Sequence, residues 1–89
     1  MLLYVIEKNM IINLNNIRTI KLDRDYSYTI VQAIGSNGEF FTICRCDNDN
    51  IGKKIINDIY TKMTYGNENI ILDLEDYREE AEEDVNEEK

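Results

Sequence analysis

The spacing of apolar residues changes once along the chain, near residue 47, and this change limits the folds that the chain can form. Before that point, β-branched and aromatic residues make short runs separated by turn residues, and no proline interrupts them. After it, apolar residues recur at the spacing of one helical face: Ile51, Ile55, Ile56, Ile59, Tyr60 and Met63. The sequence therefore predicts an α+β fold, a small antiparallel β-meander of about four or five strands packed against one amphipathic helix.

The predicted strands lie at residues 2–7, 10–14, 17–22, 28–34 and 39–46. Gly35–Gly38 contains two glycines and an Asn that tolerate positive φ, which predicts a hairpin loop between the last two strands. The helix is predicted over about residues 49–65, followed by Gly66 as its C-terminal cap. Alternation resumes at residues 69–75, which predicts a short extended segment.

The negative charge is concentrated at the C-terminal end. The chain has 18 acidic and 10 basic residues, a net charge of −8, and residues 75–89 hold nine of the acids against Arg78 and Lys89. We therefore expect one domain over residues 1–74 and an acidic, flexible or partly helical tail over 75–89, whose few apolar residues cannot offset the entropy of ordering. Deletion after Leu74 is expected to leave folding nearly intact. Because the chain has no basic cluster, direct binding to nucleic acid is not expected.

The opening run MLLYVIEK is too short to span a membrane and lacks the basic start and cleavage site of a signal peptide. A cytoplasmic location without membrane attachment is expected. Cys44 and Cys46 would be reduced thiols there, and their spacing makes them poor disulfide partners within a strand.

The stretch CDNDNIG has two interpretations. Four residues match positions 1, 3, 6 and 12 of a calcium loop: Asp47, Asp49, Gly52 and Asp58. However, position 5, which should supply an oxygen ligand, is Ile51, and position 8, which should be apolar, is Lys54. The alternative is a helix start, with Asn48 as N-cap and an acid in the first turn, and with the glycine where the helix approaches the sheet. The second interpretation agrees with the helical spacing of the isoleucines, so we expect a helix start and no metal site.

Other candidates for chemistry are weak. Histidine, the commonest general base and zinc ligand, is absent from the sequence. Cys44 and Cys46 form a single C-x-C pair, which is more typical of buried strand residues than of a zinc site. Asp23 and Asp25 flank Arg24 in a predicted turn, where solvation explains them better than acid–base catalysis. We therefore predict no catalytic residue, cofactor or metal, and no enzymatic activity.

The order of these elements resembles that of small Firmicute proteins, many of them from prophages and plasmids. The likeness covers about residues 2–60 and lies in IINLNNIRTI, EFFTICRC and DNDNIGKKIINDI. In the last of these, Cys46 stands where those proteins have an aromatic residue, Asn48 stands at the Ser/Thr cap and Gly52 at an Ala, whereas the spaced isoleucines match. The resemblance implies a pleckstrin-homology-like sheet with a helix. It implies no functional residue.

Two functions are consistent with these observations. The first is a non-enzymatic protein–protein interaction module of a mobile element or Firmicute host, with self-association left open. The second is a phage-encoded inhibitor of a nucleic-acid enzyme, similar to an anti-CRISPR protein, whose acidic residues mimic nucleic acid. The residues predicted to contact the partner are in the tail: Glu79, Glu80, Glu82 and Glu83.

Overall fold

The structure, a computed structural model, describes residues 1–66 and 68–77. The main elements in chain order are β1 (Leu2–Val5), β2 (Met10–Asn13), β3 (Ile17–Asp25), β4 (Tyr28–Gly35), β5 (Phe40–Cys46), α1 (Asp49–Tyr65) and β6 (Ile70–Leu72). Short 3-10 turns at Ile6–Lys8 and Leu14–Asn16 separate the first three strands. The fold is α+β, as predicted, but the strands form two sheets of three rather than one meander.

The first sheet has the strand order β2-β1-β6. β1 pairs antiparallel with β2 and parallel with β6, so that Tyr4 lies opposite both Ile11 and Ile71. The extended segment predicted near residue 70 is therefore a strand that pairs with the beginning of the chain. A parallel pair needs a long crossover, and the intervening second sheet and α1 supply it.

The second sheet is an antiparallel meander of β3, β4 and β5. β3 continues to Asp25, which pairs with Tyr28, so the turn predicted over residues 23–27 is only two residues long. At the other end of β4, Gly38 adopts a φ of 84° and closes the predicted hairpin loop. This sheet therefore matches the predicted strands closely, apart from the longer β3.

The predicted start of α1 is confirmed. The side chain of Asn48 accepts a hydrogen bond of 3.0 Å from the backbone N–H of Ile51. Gly52 lies so close to the second sheet that an added Cβ would be 2.5 Å from Cδ2 of Leu22. The helix ends at Tyr65 with Gly66 as its C-terminal cap, as predicted, and the N–H of Gly66 donates to the carbonyl of Lys62 at 2.9 Å.

A single core lies between the two sheets and α1. Its buried members are Leu3, Val5, Ile12, Leu14, Val31, Ala33, Ile43, Cys44, Cys46, Ile55, Ile59, Ile70, Leu72 and Tyr77. Ile55 and Ile59 form the centre of the helical face, as predicted, but Tyr60 and Met63 are exposed. Tyr60 is about 100° from Ile59 around the helix axis and so lies at the rim of the buried stripe.

Packing also extends further along the chain than the sequence predicts. Tyr77, which the sequence assigns to the tail, is only 9% exposed and belongs to the core. Its hydroxyl donates a hydrogen bond of 2.5 Å to the carboxylate of Asp58 on α1. The segment after Leu74 therefore has one anchor in the core, whereas the sequence suggested almost none, and the effect of deleting it stays a prediction. The rest of the predicted tail, residues 78–89, lies outside the described residues.

In the part of the chain that the structure describes, no helix has the length and apolar character needed to cross a bilayer.

Candidate functional site

The two cysteines lie side by side in β5 and are both buried. Their Sγ atoms are 3.8 Å apart. Burial, and then the neighbouring Cys46 thiol, raise the pKa of Cys44 to about 12. Burial likewise raises the pKa of Cys46. Since the thiolate is the reactive form, both cysteines are poor nucleophiles at neutral pH, in agreement with their interpretation as buried strand residues.

The acid pair Asp23 and Asp25 lies in β3, not in the predicted turn. The carboxylate of Asp23 is 3.9 Å from Nζ of Lys21, and that of Asp25 is 3.2 Å from a guanidinium nitrogen of Arg45. The Arg45 guanidinium also lies 5.0 Å from the centre of the Tyr28 ring. These acids take part in surface ion pairs on the side of the second sheet that faces away from the core.

The candidate calcium loop is a helix from Asp49 onward. The Asp49 carboxylate accepts hydrogen bonds from the Thr29 hydroxyl at 2.5 Å and from Arg24 at 3.0 Å. The hydrogen bond from Thr29, and then the charge of Arg24, lower the pKa of Asp49 against the opposing effect of burial. Its role is to join the first turn of α1 to the second sheet. Among the residues that the structure describes, no group of three or more Cys, Asp or Glu side chains is arranged to hold a metal ion.

The four glutamates predicted to contact a partner, Glu79, Glu80, Glu82 and Glu83, lie outside the described residues. Their role stays a prediction.

The most distinctive surface is the side of the first sheet that faces away from the core. We call it the apolar face and define it as Leu2, Tyr4, Ile6, Ile11 and Ile71. Ile11 and Ile71 flank Tyr4 in register and are 64% and 61% exposed. Leu2 and Ile6 are also exposed, and lie before and after Tyr4 along β1. The extended backbone of Val5 keeps Ile6 on the same side of the sheet as Tyr4.

The apolar face differs from the equivalent side of the second sheet in its lack of charge. The outward positions of the first sheet are Leu2, Tyr4, Ile11, Asn13 and Ile71, none of which ionises at neutral pH. The outward positions of the second sheet include four charged residues that form the two ion pairs described above, Lys21 with Asp23 and Arg45 with Asp25. Removing water from the outward side of the first sheet thus costs little free energy. Covering the outward side of the second sheet would desolvate several charges, which costs more.

Hydrogen bonds order the apolar face. The Tyr4 hydroxyl donates to Oδ1 of Asn9 at 3.3 Å, which directs the ring along β1. The backbone N–H of Leu2 donates to Oδ1 of Asn69 at 2.9 Å, which extends the contact between β1 and the segment that leads into β6. The face is therefore a defined surface on paired strands.

This face was not predicted from the sequence, although the sequence contains a signal for it. The runs LLYVI and IIL are apolar at every position instead of alternating. Continuous apolar runs are typical of strands that are buried on both sides. Here one side meets the core and the other is exposed, so the missing alternation is the sequence signal of the apolar face.

Two of the shallow grooves on the described surface lie against β2 and β3. One, of about 230 Å³, lies between α1 and β3, and Arg18 and Tyr60 are its titratable residues. The other, of about 480 Å³, lies between β2 and the β4–β5 hairpin, and Glu39 is its titratable residue. Neither groove places a carboxylate beside a basic side chain.

No family model matches this chain, and neither a curated protein nor a solved structure was found to be similar to it.

Proposed function

We propose that this protein is a non-enzymatic protein–protein interaction module that binds its partner through the apolar face. The observation that carries the proposal is the uncharged, exposed surface around Tyr4, with Ile11 and Ile71 on either side. Exposed apolar surface bordered by polar residues is typical of protein-binding sites, and the centres of such sites are depleted in charge.

The chemistry of the remaining candidates supports a binding role rather than catalysis. A nucleophilic cysteine needs a lowered pKa, and that of Cys44 is raised to about 12. The carboxylates considered as candidate ligands or catalytic acids make structural contacts instead. That of Asp49, for example, accepts a hydrogen bond from the Thr29 hydroxyl and so joins α1 to β4. The proposal places the module in the cytoplasm of a Firmicute host or on its mobile elements, supported by the sequence pattern of residues 2–60 and the free thiols.

A second candidate function, inhibition of a nucleic-acid enzyme, is favoured by one observation. Seven of the eight net negative charges belong to residues 75–89. A partner that normally binds nucleic acid would then meet the tail, and the apolar face would not be needed.

Co-purification from cells distinguishes the two functions. The tagged full chain is compared with three variants: Ile11→Lys with Ile71→Lys, Phe40→Lys, and glutamine at the four tail glutamates Glu79, Glu80, Glu82 and Glu83. Phe40 is 65% exposed in β5 and serves as the matched control. Thermal melting of each variant verifies that it is folded.

We expect the double variant on the apolar face to lose the partner and the Phe40→Lys variant to keep it. Loss of the partner only in the glutamine variant would favour the inhibitor function instead. A partner retained by all three variants would contradict both.

A further inference from the structure

We infer that Cys44 and Cys46 together form a binding site for a single Cu(I) ion, with both thiolates as its ligands. This inference does not depend on the proposed function. The C-x-C spacing alone does not predict a metal site, because it does not show whether the two sulfur atoms meet. The structure adds two observations, namely the separation of the sulfur atoms and a cavity beside them.

The two sulfur atoms lie close enough to share one ion. Alternate residues of a strand are about 6.6 Å apart, so thiols that stood straight out from β5 would not touch. The Sγ atoms are instead 3.8 Å apart, because the two side chains lean toward each other. With metal–sulfur bonds of about 2.3 Å, sulfur atoms 3.8 Å apart subtend an angle of about 110° at a shared ion. Both can therefore bind one ion where they stand.

The same geometry disfavours a disulfide between the two cysteines. A disulfide needs sulfur atoms about 2 Å apart and most often joins Cα atoms about 5.5–6 Å apart. Two strand spacings of about 3.3 Å place these Cα atoms further apart than that. Regular pairing with β4 fixes both positions, Cys44 opposite Val31 and Cys46 opposite Thr29. An ion between the thiolates spans the gap without moving the backbone.

The set of available ligands selects Cu(I) among the metals that prefer sulfur. Thiolates favour Cu(I), zinc and iron–sulfur clusters. The chain has two cysteines and no histidine, whereas structural zinc and iron–sulfur clusters are usually held by four such ligands. Within residues 1–66 and 68–77, no carboxylate joins the two thiols in a group that could hold a metal. Cu(I) is stable with only two or three soft ligands, so the two thiolates are sufficient for it.

A cavity gives a small ion access to both thiols. It has a volume of about 160 Å³ and is lined, besides the two cysteines, by Ile51, Ile55 and Tyr77. The cysteines are otherwise buried. A copper ion can therefore reach sulfur atoms that larger reagents do not reach.

Binding exchanges two thiol protons for one ion. Burial, and then the neighbouring Cys46 thiol, raise the pKa of Cys44 to about 12, so the free site keeps its protons at neutral pH. A coordinating thiol is deprotonated outright, and both protons leave to solvent. The complex of one monovalent cation with two thiolates has a charge of −1. The charge of Lys8 lowers the pKa of Cys44 and favours this anion, whereas Asp47, beside Arg45 in the cavity wall, opposes it.

Titration of the reduced full chain with Cu(I), without oxygen and in competition with the coloured chelator bicinchoninate, tests the inference. We expect the chain to withdraw one equivalent of Cu(I) from the chelator. X-ray absorption of the complex should show sulfur ligands. Because two protons leave for each ion bound, the apparent affinity should rise about hundredfold per pH unit near neutrality.

Three variants identify the ligands. Cys44→Ser and Cys46→Ser replace each thiol by a hydroxyl of similar size, and each should weaken binding at least about hundredfold, because a hydroxyl is a much poorer ligand for a soft ion. Asp47→Asn is the matched control, since it changes a carboxylate in the same cavity wall, and it should not weaken binding. Thermal melting without copper verifies that each variant is folded. If a serine variant is not, Cys44→Ala or Cys46→Ala, which keeps the site apolar, takes its place.

Four results would overturn the inference. They are no stoichiometric uptake of Cu(I) by the unmodified chain, uptake that is unchanged in either cysteine variant, loss of uptake in Asp47→Asn, and nitrogen or oxygen ligands in place of sulfur in the X-ray absorption spectrum. Zn²⁺ bound as tightly as Cu(I) in a parallel titration would also contradict the choice of ion. None of these results bears on the apolar face, so the proposed function is tested separately.

Discussion

Replacing Tyr77 by alanine in the full chain should lower the free energy of unfolding by about 3–5 kcal/mol, the usual cost of truncating a buried aromatic residue. Tyr77 is 9% exposed and joins the common core beside the two cysteines. Its hydroxyl also donates to Asp58 at 2.5 Å. A domain of this size has only about 5–10 kcal/mol of stability in total, so the loss would be a large fraction of it.

The two contributions of Tyr77 can be measured separately. Tyr77→Phe keeps the ring and removes the hydroxyl, which should cost about 1–2 kcal/mol because a hydrogen bond to a charged group is lost. Tyr65→Ala is the matched control, since Tyr65 is 81% exposed on the last turn of α1, and it should change stability by less than about 0.5 kcal/mol.

Urea unfolding followed by circular dichroism gives the free energies of unfolding of the unmodified protein and of the three variants. The expected melting temperature of Tyr77→Ala is at least about 10 °C below that of the control, from the typical shift of 4–8 °C per kcal/mol. If Tyr77→Ala and Tyr65→Ala unfold at the same urea concentration, Tyr77 does not anchor the C-terminal segment, and the sequence-based boundary after Leu74 would stand instead.

Three further predictions follow from single contacts. Gly52→Ala should destabilise the fold by about 1–3 kcal/mol in urea unfolding, because its Cβ would lie 2.5 Å from Leu22; a smaller cost when combined with Leu22→Ala would verify the cause, and equal costs would contradict it. Ile59→Asp should abolish cooperative melting by placing an unpaired charge in the core, and a melting curve like that of the unmodified protein would show that α1 does not pack there. Stability should fall as pH rises above 9, because the unfolded thiol then loses its proton while the folded Cys44, with a pKa of about 12, keeps it; Cys44→Ala should reduce this alkaline loss, and an unchanged pH profile would argue against a protonated thiol.

Local patterns in the sequence were enough to predict much of the fold. The helical spacing of Ile55 and Ile59 predicted α1, and Asn48 predicted its first residue, because capping depends on atoms a few residues apart. The hairpin at Gly38 was predicted for the same reason, since positive φ is a local requirement. Each of these features is determined within one or two turns of chain.

Features that depend on distant pairing could not be predicted in the same way. The recurrence of Ile70, Leu72 and Leu74 at every second position indicates an extended segment but carries no information that its partner is β1, almost seventy residues earlier. Tyr77 contacts Asp58 on α1, and the local sequence, a single tyrosine among acids, does not indicate that contact. The apolar face combines both difficulties, because it consists of residues from three strands that meet only once the parallel pair has formed.

Methyl NMR of the full chain provides the most direct test of the central claim, that the apolar face contacts the partner. The isoleucine δ1 methyl groups are labelled, and the partner recovered by co-purification is added. Ile11 and Ile71 report on the face, and the buried Ile55 and Ile59 serve as internal references. We expect large shifts or broadening for the signals of Ile11 and Ile71 and little change for those of Ile55 and Ile59. Unchanged Ile11 and Ile71 signals in a sample where the complex has formed would contradict it.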